Sequence, residues 1–197
     1  MNQKTFFITL GLVLALVAIS LSPIRHSGIP PAAEDDYYYA WRAVTAKCGP
    51  DVQLLGIFMV KGSTNYAFTH GTCGTGSANE YVAVSYDLRT HSIGNPGIGD
   101  FGHNSIFGNI PISLSDWKIN SQDAFQIVST HGLHLTDFLP NEIIDMQGIS
   151  GSLELYQAGQ FLEWLYLYVN RADVYEIHIN ATTGQVISSS TRTVGIP

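Results

Sequence analysis

The chain has 197 residues, of which 45% are hydrophobic and only 13% charged. That composition can bury one core or two small ones and argues against disorder along most of the length. A net charge of −7 and a pI near 5.3 offer no basic field to attract phosphate, so nucleic acid is excluded as an expected partner.

The first element is the apolar run Phe6 to Ile24, uncharged and long enough to cross hydrocarbon as a helix. Lys4 precedes it and Glu34, Asp35 and Asp36 follow, which places the N-terminus in the cytoplasm and the remainder outside. Residues 6–24 are therefore expected to engage the membrane as an uncleaved anchor, the alternative being a cleaved signal and a secreted or periplasmic product. Arg25 to Glu34 contains two prolines and reads as a spacer.

Next comes a predicted helix, with acidic residues at its start, Tyr37, Ala40, Trp41 and Val44 on one face, and Gly49-Pro50 as its stop. Three strand-like runs follow, at residues 52–60, 64–69 and 80–88. Residues 94–118 are rich in Gly and Asn and read as a linker. Its GIGDFG has the spacing of a dinucleotide fingerprint, but it lacks the strand-to-helix setting that chemistry requires.

The same order then recurs. Ser121 is the expected N-cap of a second helix, where Ala124, Phe125 and Val128 repeat the spacing of Ala40, Trp41 and Val44. Strand-like runs at 150–157, 160–169 and 174–180 repeat the meander, and VSYDLRTHSI (84–93) aligns with IHINATTGQV (177–186). The predicted fold class is α+β: two tandem units, each one helix packed on an antiparallel β-meander, after the N-terminal transmembrane or signal helix. The boundaries are 1–32 for signal anchor and spacer, 33–93 for the first unit, 94–118 for the linker and 119–197 for the second unit.

YEIHINATTGQV resembles the final hairpin of the PepSY family, DWKINSQDAFQIV its entry into the helix, and FLEWLYLYV its aromatic central strand. The resemblance spans residues 115–190 and is weaker over the first repeat. It departs where Asn180 and Gln185 stand in place of acidic residues. The resemblance implies an exported α+β module that binds in the cell envelope or restrains peptidases, with no established catalytic residues.

Several residue sets bear on chemistry. Cys48 closes the first helix, and Cys73 lies in the turn that returns to the same end. In an exported chain the pair is expected to form a disulfide, and this competes with a nucleophilic role for Cys73 beside His70. His131 and His134 flank Gly132, which removes the fixed helical spacing of zinc ligands, so no metal and no cofactor are expected. Asp35 with Asp36, and Asp137 with Glu142, read as helix-end and loop charges. In the strand 160–169, alternation puts Leu162, Trp164, Tyr166 and Tyr168 on one face and Phe161, Leu165, Leu167 and Val169 on the other. With one helix available to cover two apolar faces, Trp164, Tyr166 and Tyr168 are a candidate partner surface, the alternative being packing between the repeats.

The expected function is a non-catalytic extracytoplasmic envelope module that binds protein or peptide, restraint of a peptidase being one form. The alternatives are a membrane-anchored structural component without a soluble ligand and, third, an enzyme using Cys73 and His70.

Overall fold

The structure, a computed structural model, describes residues 35–60, 62–75, 77, 79–100, 110–131, 149–170 and 173–193. The expected membrane segment, residues 6–24, lies outside them, as do His134, Asp137 and Glu142. Among the described residues no helix is long and apolar enough to cross a membrane.

Helix α1 (Asp35–Cys48) leads into strands β1 (Leu54–Val60), β2 (Ser63–Thr69) and β3 (Glu80–Asp87). Then follow β4 (Ser92–Ile93), β5 (Gly97–Asp100) and helix α2 (Ser121–Thr130). The chain closes with β6 (Ile149–Ala158), β7 (Phe161–Asn170), β8 (Asp173–Asn180) and β9 (Val186–Thr193). All nine strands of the described residues belong to one antiparallel sheet, ordered β4-β3-β2-β1-β6-β7-β8-β9, with β5 also paired to β3.

This corrects the expectation of two helix-on-meander units, because the fold is a mostly-β single sheet. Each meander would leave its first strand as an edge, with a row of unpaired N–H and C=O groups. The two first strands satisfy each other instead: β1 pairs with β6 from Gly56↔Tyr156 to Met59↔Leu153. Apolar side chains at these positions, Ile57 against Leu155 and Met59 against Leu153, then form one floor under both helices.

The segment expected to be a linker holds that floor together. Ile112 N–H donates to Leu54 O at 2.7 Å, and Lys118 and Ile119 both donate to Ala181 O. Trp117 is buried, its ring edge-on to Tyr37 at 5.7 Å and to Trp164 at 6.4 Å. Trp117 thus adds a second link, beside the β1–β6 floor, within the one core. Within the same segment, the first four residues of GIGDFG form β5 along β3.

Both helices bury the stripe that their spacing indicates. In α1 this comprises Tyr37, Ala40, Val44 and Cys48, whereas Trp41, expected to be inside, is 36% exposed and stacks on Tyr38. The N-cap of α2 is Asn120, not Ser121: its side chain accepts from Asp123 N–H at 2.7 Å, leaving Ser121 buried in the first turn.

Candidate functional site

The disulfide is present. Cys48 and Cys73 are bonded, with their Cα atoms 4.8 Å apart. Gly71, at φ +52°, makes the approach possible, because a Cβ there would collide with the carbonyl of Cys48. Thr72 N–H donates to that same carbonyl at 2.8 Å. With its sulfur bonded, Cys73 carries no thiol for the chemistry considered beside His70, whose Nδ1 lies 3.0 Å from Gly71 O.

The candidate partner surface turns inward. Trp164 and Tyr166 are each 1% exposed, and Tyr168 is partly buried against the same core. Trp164 Nε1 donates to Ile119 O at 2.7 Å, and Trp117 Nε1 donates to the same oxygen at 3.0 Å. Phe125 of α2 meets Tyr166 edge-on at 6.2 Å, and Tyr168 stacks on Tyr166. These side chains supply folding energy and leave no indole for a partner to grip, so of the two alternatives for this strand, packing within the chain is the one observed.

His131 caps the end of α2, its Nδ1 2.9 Å from Ile127 O. Among the described residues no group of three or more His, Cys, Asp or Glu side chains is arranged to hold a metal ion.

The opposite face of the C-terminal half carries ionisable groups that single-strand periodicity does not assemble. On β6, Glu154 is 1% exposed; Ser152 Oγ donates to its Oε1 at 3.0 Å, while Oε2 has no partner. Burial pushes the Glu154 carboxyl above the usual range, the Ser152 bond offsetting this only in part. Tyr156 pairs across to Glu163 of β7, and burial followed by the charges of Glu163, Glu154 and Glu176 raises its hydroxyl to about 12. His178 of β8 lies 3.0 Å from Glu163 through Nδ1 and 2.8 Å from Glu176 through Nε2. Burial disfavours its charge, but the hydrogen bonds and charges of the two carboxylates outweigh burial and raise its pKa. The readable signal was the i, i+2 spacing of Glu176 and His178 in VYEIHIN; the missing element was the register that brings Glu163 beside them.

Next to this row lies the free side of the sheet. β9 pairs with β8 from Asp173↔Thr193 to Ile179↔Val186, with a register shift between His178 and Ile179 that leaves Ile187 unpaired. Among the described residues no strand follows β9, and no main-chain bond leaves it in the outward direction. Its side chains from Ile187 to Thr193 are exposed, and Arg192 is their only charge.

No protein-family profile matches the chain, and no curated protein matches it in sequence. Among solved structures it is similar to a candidate lipoprotein from Clostridium difficile 630, with 11% identity and a TM-score of 0.51, over 86% of this chain and 97% of that one. At that identity the likeness speaks for the fold alone.

Proposed function

We propose that the chain is a non-catalytic, extracytoplasmic envelope module that binds an extended segment of a protein partner by adding it as a strand beside β9. Restraint of a peptidase, as the PepSY-like ending implies, is one form of such binding. One observation carries this reading: β9 is an eight-residue strand with one side paired and the other offering its main-chain groups outward. An edge this long usually carries Lys, Pro or inward charge to discourage pairing; here the bulge at Ile187 and the charge of Arg192 stand towards its two ends, and Ser188 to Thr191 between them are all hydroxyl residues. The Cys48–Cys73 bond supports an oxidising compartment, and the lipoprotein description of the structural relative points the same way.

A photo-crosslinking residue at Ser189, introduced in intact cells, tests the reading. Of Ser190→Pro and Thr191→Pro, one removes an N–H aimed at β8 and the other an N–H aimed outward. Discrete protein adducts should form and should vanish in the outward variant while its melting temperature changes little. Absence of adducts would favour the structural-component reading.

A further inference from the structure

We infer that Glu163, His178 and Glu176 form a proton-operated clamp that ties β8, the strand on which β9 rests, to β7 while His178 is protonated and loosens that edge of the sheet when the proton leaves. As a statement about regulation, this rests on reading β9 as the binding edge.

The geometry is restrictive. A neutral imidazole has one N–H, so with carboxylate oxygens at 3.0 Å and 2.8 Å from its two nitrogens, one contact would set a lone pair against an anion. Only the imidazolium donates to both. One bond ties β8 to β7 and the other fixes the ring along β8 itself. His178 is also the last regular partner before the register shift, opposite Ser188, so it stands where β9 bends and is least supported by its own ladder.

Among the described residues the one cation on the facing strands is Arg192, two positions beyond the residue opposite Glu176. Leu165 lies directly opposite on β7, and β6 contributes Tyr156 and, beyond it, Glu154. β9 contributes Ser188 and, farther along, Arg192, opposite Val174. Loss of the proton takes the three-residue row from a net charge of −1 to −2, with Glu163 buried and Glu176 partly buried. His178 has its folded pKa raised, so the clamp's contribution is complete below the ordinary histidine value and is lost as pH rises through the folded value.

Hydrogen exchange of the full chain, corrected for the intrinsic pH dependence of exchange, tests the clamp, with residues 54–87 as internal reference. From about pH 5 to about pH 8, protection of residues 173–193 should fall relative to that reference, about tenfold for each pKa unit of histidine shift. His178→Gln should flatten that profile. Glu163→Gln and Glu176→Gln should each lower the His178 pKa read by NMR titration, which keeps the test available should one variant fold poorly. A profile that survives in His178→Gln, or a His178 titrating at or below about 6.5, would overturn the clamp. With the exchange result as expected, Ser189 adducts should change in yield through the same pH window. Adducts with a pH-independent yield would refute the regulatory role, and adducts absent at every pH would count against the β9 reading while leaving the clamp supported.

Discussion

The hairpin turn after β3 and the turn after β8 are built alike, yet they leave the two ends of the sheet in opposite conditions. Asp87 Oδ1 accepts from Arg89 and Thr90 N–H at 2.8 Å, and Asn180 Oδ1 accepts from Thr182 and Thr183 N–H at 2.9 Å. Four residues after each Asx side chain the backbone turns left-handed, at His91 with φ 52° and at Gly184 with φ 75°. The outcomes then diverge. β4 stops after two residues at Gly94-Asn95-Pro96, and β5 returns to pair with the other end of β3. β9 continues for eight residues, paired to β8 on one side, with no described strand on the other. Local turn chemistry sets the reversal, and the residues that follow decide whether the edge is broken up or left open.

The comparison is strongest if the two halves share one core. Trp164→Ala removes a buried indole packed against Trp117, which itself meets Tyr37 of the first half, and should cost about 3–5 kcal/mol. Both halves should unfold together, in coincident transitions by tryptophan fluorescence and far-UV circular dichroism. Separate transitions would return the molecule to two independent units.

A second asymmetry is covalent, since the described disulfide staples only the first half. Replacing Cys48 and Cys73 together by Ser opens a closure spanning a sequence separation of 25, worth about 3–4 kcal/mol on chain entropy. Denaturant midpoints should fall accordingly, and reductant should shift the wild type but leave the double variant unmoved.

The periods of the strands were legible in the sequence; their assembly was not. Runs predicted at 80–88 and 174–180 appear as β3 and β8, and the alternation in LEWLYLY correctly put Trp164 and Tyr166 on one face. The β1–β6 pairing is non-local, set by two apolar edges that each need cover, and no window of sequence contains both strands. Trp117 was lost in a Gly- and Asn-rich stretch because its burial depends on Ala181 and Ile119 bringing the stretch over the sheet. Glu163 and His178 escaped notice for the same reason: they are neighbours only once β7 and β8 are in register.

The turns themselves offer smaller tests. Gly184→Ala places a Cβ in the left-handed region, with ordinary contact at 3.4 Å to Ile119, and should cost about 1–2 kcal/mol from backbone strain. His91→Gly relieves the equivalent strain in the first turn while removing the ring set against Tyr86, so it should cost less than Gly184→Ala, or stabilise, in the same melting assay.

The smallest effect separates Asp87 from Asn180. The N–H groups of Thr90 and then Arg89 hold the partly exposed Asp87 carboxyl below its usual range. A lowered carboxyl pKa means that its contribution is present above the unfolded value and lost as pH falls through the folded one. Amide exchange at Arg89 and Thr90, corrected for intrinsic rate, should therefore speed up in acid, whereas the Asn180 turn should be indifferent. Asp87→Asn should make the two turns behave alike, and an unchanged acid response in that variant would reject the assignment.

The central claim is that the sheet has one broken edge and one open edge, and that the open one receives partners. A photo-crosslinking residue placed in turn at Ile98 on β5 and at Ser189 on β9, both exposed, tests it directly in intact cells. The account predicts discrete protein adducts from Ser189 and none from Ile98; equal adducts from both, or adducts from Ile98 alone, would contradict it.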